Sequence, residues 1–273
     1  MTPNDPREPF LPERAIGKTP VMECLGLGID FGGLTAVDDF NITIGRTEIA
    51  GLIGPNGAGK TTIFNLLTKV YQPSRGQIFL DGIDTKAMNT IKACRAGISR
   101  TFQNIRLFRE LTVLENVLVG LHNETDYNLV SSMFRLPKYW KAERELREQA
   151  LDLLGIFDMQ GVAEHKAGSL PYGSQRRLEI VRALATHPKL LLLDEPAAGM
   201  NPSETGELME NIRKIRDTFG IAIMLIEHDM SLVMGICEGI AVLNYGRIIA
   251  KGTPAQIQGN PVVIEAYLGK QEG

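Results

Sequence analysis

The hydrophobic positions change period several times along the chain, and the changes mark out alternating strands and helices. Glu48-Ile49-Ala50-Gly51-Leu52-Ile53 is short and apolar and predicts one buried strand, after which Ile63, Leu66, Leu67 and Val70 recur at helical spacing. Upstream, Leu25, Leu27 and Ile29 alternate, and Asn41 to Ile44 form a second candidate strand, with Phe31-Gly32-Gly33 as a turn. Gly76 to Gly82 reads as a further strand ending in a turn. Thr112 to Gly120 and Glu143 to Leu154 predict helices. In the second, Leu146, Ala150, Leu153 and Leu154 form the apolar stripe, Glu143 and Arg147 lie on the wet face, and Gly155 is placed as the cap. Leu190 to Leu193, ending in Asp194, has the continuous apolar character of a buried parallel strand. Asn201-Pro202-Ser203-Glu204 is a helix start, and Leu208, Ile212 and Ile215 give that helix its buried face. Ile221 to Ile226 predicts the next strand, and Ile240–Asn244 with Arg247–Ala250 a hairpin around Tyr245-Gly246.

Alternation of this kind predicts an α/β chain with a parallel core sheet. Residues about 104–168, largely helical, read as a lobe inserted between core segments 21–103 and 169–270. The Pro-rich stretch 1–20 reads as a flexible tail. His122 to Trp140 has no clear period.

Composition alters this picture little. The 273 residues are 44% hydrophobic and 22% charged, as expected of one ordinary globular domain. A net charge of −3 gives no electrostatic reason to expect a nucleic-acid partner. Lys138, Lys141, Arg144 and Arg147 alternate with acids and read as a solvated helix face. Cys24, Cys94 and Cys237 are widely spaced and fit neither a zinc pattern nor a disulfide framework. No apolar run approaches the ~20 residues that span a bilayer, and the N-terminal stretch lacks a signal peptide's apolar core. The expectation is a cytosolic chain whose membrane role comes through partners.

The chemistry is concentrated in Gly54-Pro55-Asn56-Gly57-Ala58-Gly59-Lys60-Thr61-Thr62, between the first core strand and its helix. That context is what a phosphate-binding loop needs. Its glycines let successive N–H groups turn toward phosphate oxygens, the helix adds its positive end, Lys60 adds a charge near the β and γ phosphates, and the Thr61 hydroxyl is placed for Mg²⁺. The expected ligand is a nucleoside triphosphate. Asp194 and Glu195 follow a core strand, at the end where α/β sheets bind ligands. Asp194 is expected to hold Mg²⁺ and Glu195 to polarise the attacking water.

From about Val21 to Leu268 these motifs resemble the ATP-binding subunits of ABC transporters. The resemblance implies a P-loop ATPase core with an N-terminal antiparallel β subdomain and an inserted helical subdomain. It assigns adenine stacking to Phe31, which by itself would more simply be a core residue. It assigns the Q-loop to Arg100-Thr101-Phe102-Gln103, with Gln103 reaching Mg²⁺ and water, and the switch histidine to His228. Asn201 stands where the family usually has an aspartate. The signature loop is Leu170-Pro171-Tyr172-Gly173-Ser174 in place of Leu-Ser-Gly-Gly-Gln, and Pro171 offers neither a hydroxyl nor an N–H. In the family this loop closes over ATP held by a partner subunit.

The stretch Gln175-Arg176-Arg177-Leu178-Glu179-Ile180, Asn104-Ile105-Arg106-Leu107-Phe108 after Gln103, Ala197-Ala198-Gly199-Met200-Asn201-Pro202 and the ending Gly252 to Gly269 are similar to bacterial branched-chain amino-acid importers. This implies ATP and Mg²⁺ as cofactors, a second ATPase subunit, two membrane permeases, an extracytoplasmic solute-binding protein, and a position on the cytoplasmic face of the membrane. Other ABC transporters (of urea, short amides or exported lipid) and a soluble ABC ATPase stand as alternatives. A P-loop kinase or GTPase leaves Leu170–Glu179 and His228 unexplained.

Overall fold

The apolar runs become strands buried on both faces. The computed structural model describes residues 20–122 and 137–268, so the expected tail up to residue 19 and most of the stretch before Trp140 lie outside the described residues. β1 (Met22–Phe31) and β2 (Leu34–Ile44) pair antiparallel across Gly32-Gly33, Met22 opposite Ile44. With β4 (Arg75–Leu80) and β5 (Ile83–Asp84) they form an antiparallel sheet in the order β2-β1-β4-β5. β2 begins well before the expected Asn41, because Val37 and Phe40 also turn into the core.

The second sheet has the order β10-β9-β3-β8-β7-β6, from β3 (Ile49–Ile53), β6 (Ile98–Arg100), β7 (Leu190–Asp194), β8 (Ala222–Ile226), β9 (Gly239–Asn244) and β10 (Arg247–Gly252). All its pairings are parallel except β9 with β10, which close a hairpin at Tyr245 and Gly246. Both turn residues have positive φ, 45° and 78°, the geometry of a type I′ turn. Along β7, Leu190 and Leu192 face one apolar core while Leu191 and Leu193 face the other. Having a core on each side is what makes the run continuous rather than alternating. Leu192→Ala should therefore lower the unfolding free energy by about 2–5 kcal/mol, read from urea denaturation.

One core lies between the two sheets and encloses α1 (Lys60–Leu67) through Ile63, Phe64, Leu66 and Leu67. Val70 departs from the expected stripe and is exposed. Thr68 ends the helix by hydrogen bonding Phe64 O through its hydroxyl, and Lys69 at φ 60° reverses the chain before Val70 can continue the face. α2 (Thr90–Ala96) follows on this side of the chain.

The other core is covered by α3 (Val113–Leu121), α4 (Pro137–Gly155), α5 (Tyr172–Leu184), α6 (Pro202–Phe219) and α7 (Met230–Ile236). Thr112 and Asn201 head α3 and α6 with reciprocal capping boxes to Glu115 and Glu204. Leu146, Ala150, Leu153 and Leu154 are all buried. Gly155 is the last helical residue rather than a left-handed cap, and the left-handed position falls at Asp158, φ 54°. Arg147 pairs with Glu164 at 2.6 Å, while Glu143 approaches His122. Short helices α8 (Pro254–Gln258) and α9 (Pro261–Leu268) end the described chain. Among the described residues no helix is long and apolar enough to cross a membrane.

Candidate nucleotide site

Parallel registry brings the functional loops together. Asp194 lies opposite Ile226, and Ile226 opposite Leu52, so the loops after β7, β8 and β3 leave one edge of the sheet. The loop after β3 can turn into α1 only with glycine at particular places. A Cβ on Gly54, φ 150°, would stand 2.0 Å from Leu243 O, and one on Gly59, φ 105°, 2.9 Å from Ala36 O. Gly54→Ala should therefore distort the loop and abolish nucleotide binding, seen as loss of the thermal stabilisation that ATP otherwise gives.

Lys60, only 7% exposed, donates from Nζ to Gly54 O at 2.7 Å and Pro55 O at 2.9 Å. Burial lowers its pKa, while the nearby charges of Glu195 and Asp194 act in the opposite direction. A buried ammonium bonded to carbonyl oxygens has a donor left for an anion. Thr61 stands exposed on the first turn of α1, and Asn56 and Gly57 are exposed on the loop.

Glu195 leaves β7 with φ 48° and its N–H bonds Ile226 O at 2.9 Å. Its carboxylate receives Gln103 Nε2 on one oxygen at 2.9 Å and meets His228 Nε2 on the other at 2.6 Å. The structure thus brings together Gln103, Glu195 and His228, three residues from separate segments. Asp194 is nearly buried and accepts from Arg100 Nη2 at 2.6 Å, while its N–H bonds the Thr101 hydroxyl at 3.2 Å. Arg100 also bonds Asn65 Oδ1 and stacks near the Phe64 and Phe102 rings.

Two supports here escaped the sequence reading. Arg100 lay within a quoted motif, yet only the buried Asp194 opposite reveals its place. Glu227, 4% exposed, accepts from the N–H groups of Ala197, His228 and Asp229 and so fixes the turn after Glu195 against the turn carrying His228. Burial raises its pKa, with the backbone donors opposing.

The residues expected to hold Mg²⁺ are Thr61, Gln103 and Asp194. Among the described residues no cluster of three His, Cys, Asp or Glu side chains could hold a metal alone. One carboxylate, one hydroxyl and one amide fit a magnesium ion that takes its remaining ligands from phosphate and water. Mg²⁺ held by these residues would supply charge neutralisation to a bound triphosphate.

Phe31 ends β1 and is 42% exposed, its ring edge-on to Tyr71 with centroids 5.2 Å apart. An open aromatic surface suits a base better than the core does. Tyr71 had no periodic signal, since it follows the helix end.

Pro171 stands at the head of α5, and Gln175 Nε2 bonds back to Leu170 O at 2.8 Å. Gly173 faces Glu204, and Gly199 faces the ring of half-exposed Tyr172. Among the described residues no hydrogen bond joins Leu170–Ser174 to the phosphate loop. The structure groups Lys60, Gln103, Asp194, Glu195 and His228 and holds the signature loop separately against the start of α6.

Comparison with known proteins identifies the family. The family model described as ABC transporter matches residues 37–198, and one described as branched-chain amino acid ATP-binding cassette transporter matches residues 247–273. The chain is 47% identical over 251 residues to the high-affinity branched-chain amino acid transport ATP-binding protein BraF of Pseudomonas aeruginosa, covering 92% of this chain and 98% of BraF. It shares the same identity and coverage with the corresponding LivG protein of Escherichia coli K12. The solved ADP conformation of an ABC transporter's ATP-binding cassette superposes with a TM-score of 0.80 at 30% identity, over 92% of this chain and 99% of that one. The chain therefore belongs to the ABC transporter ATP-binding proteins: it is an ATPase of this family.

Proposed function

We propose that this chain is the ATP-hydrolysing subunit of a membrane importer of branched-chain or other hydrophobic amino acids. The observation that carries the hydrolytic role is the Glu195 carboxylate held between Gln103 and His228 beside Lys60. The solute is supported by what BraF and LivG are named for.

In this reading Lys60 and the backbone of Gly54–Thr62 bind the phosphates and stabilise charge developing on the γ-phosphoryl group. Phe31 stacks on adenine. Thr61, Asp194 and Gln103 hold Mg²⁺. Glu195 orients the attacking water, and His228 fixes that carboxylate and faces the γ-phosphate. A second ATPase subunit, identical or paralogous, contributes its Leu170–Ser174 loop across the interface.

Residues about 104–168 act as the helical lobe that meets two membrane permeases on the cytoplasmic face. A groove of about 510 Å³ between α2, α3 and α5, lined by Val70, Ile91, Phe102, Phe108 and Val119, supports that contact. Four of these, Val70, Ile91, Phe108 and Val119, are about half-exposed or more. A solute-binding protein outside the membrane would deliver the amino acid to the permeases.

The test is capture from detergent-solubilised membranes with Glu195→Gln and ATP, followed by uptake assays. Two polytopic permeases, a second ATPase and ATP-dependent leucine uptake are expected. Recovery of ribosomes or nucleic acid without permeases would overturn the transport role.

A further inference from the structure

Among the described residues Arg176 is the bulkiest fully buried side chain, and it lies one turn into α5, directly behind the signature loop. Its guanidinium grips the chain segment that carries Gln103. Nη1 donates to Phe102 O and to Glu179 Oε2, and Nη2 donates to Gln103 O at 2.7 Å. Glu179, one turn further along and 1% exposed, accepts from the N–H groups of Phe102 at 3.4 Å and Arg106 at 3.2 Å. Two side chains of one helix thus hold both carbonyls and amides of residues 102–106.

A buried ion pair is a poor device for stability alone, since desolvating both charges offsets their attraction, and apolar replacements are often as stable. Its bonds here have a specific geometry: a planar fork spans two successive carbonyls, which a hydrophobic pair could not do. Gln103 in turn reaches Glu195 through its side chain. A helix moves as a rigid rod over one or two turns, so a displacement at Tyr172 is carried to the backbone of Gln103.

We propose that Arg176 and Glu179 are positioning residues that couple the signature loop of a chain to its own Gln103. The loop engages nucleotide held by the partner subunit, and the pair adjusts Gln103 beside Glu195 in the same chain. Each nucleotide site thereby senses the other. This rests on the two-subunit arrangement above.

The test uses the full-length chain carrying Glu195→Gln, to accumulate the closed pair, and Gln103→Ala, so that this side chain cannot report nucleotide directly. Amide hydrogen exchange is compared with and without ATP and Mg²⁺. ATP should slow exchange several-fold both at 54–62 and at 102–106. Adding Arg176→Met with Glu179→Leu should preserve the response at 54–62 and abolish it at 102–106. Arg176→Lys, which keeps a cation beside Glu179 but loses the fork, should give the same loss and covers the case in which the apolar pair misfolds. An ATP response at 102–106 that is equal with and without the pair, or absent from both, overturns the coupling. Lack of any ATP response at 54–62 would instead overturn the nucleotide-site reading on which it stands.

Discussion

Glu195→Gln is expected to retain ATP binding and lose steady-state hydrolysis by about 10²–10⁴-fold, the range that a positioned general base contributes. The amide keeps the size and one acceptor oxygen, so the Gln103 contact at 2.9 Å survives in form. It cannot accept a proton from water as a carboxylate does. The Lys60 contacts to Gly54 O and Pro55 O do not involve Glu195, so phosphate binding should persist. Single-turnover and equilibrium binding measurements separate the two effects. Undiminished turnover would remove Glu195 from the reaction and leave another group, such as buried Glu227, to be considered.

β3, β7, β8, α1 and α6 were legible because each declares its period, whereas β6, three residues long, and the seven-residue α2 and α7 do not. β8, and β7 up to Leu193, are apolar since each has a core on both faces, and α6 starts after its cap Asn201 because Asn201 and Glu204 satisfy its first amides. The misplacements came from local reversals. Val70 continues the stripe of α1 in sequence, but Thr68 and Lys69 turn the chain first. Gly155 offered an ordinary helix stop, and the left-handed residue arose three positions later at Asp158.

At the site, motifs near one another in sequence were readable and their supports were not. Glu227, Arg100 and Arg176 act through partners 30, 94 and 74 residues away, at Ala197, Asp194 and Phe102. No periodicity reports such a distance. Burial of a charged side chain identifies them only after the fold is known.

Lys60→Ala should differ from Glu195→Gln by losing ATP affinity as well as turnover. Lys60 has three ammonium donors, and two are engaged by loop carbonyls, which leaves one for a phosphate oxygen. Removing a charge-assisted hydrogen bond costs about 1.5–3 kcal/mol, equivalent to roughly 10–150-fold in Kd. The loss should be larger than this single bond, because Gly54 O and Pro55 O also lose the donor that holds the loop's curvature. Lys60→Arg tests the geometry: it keeps the charge, but on a larger guanidinium that the loop around the buried, compact ammonium must shift to admit. Titration with a fluorescent ATP analogue should therefore show both variants weakened and Glu195→Gln unchanged. Equal affinity in Lys60→Ala and the parent chain would mean that the backbone amides alone bind the phosphates, and the buried ammonium would then be a structural pin for the loop.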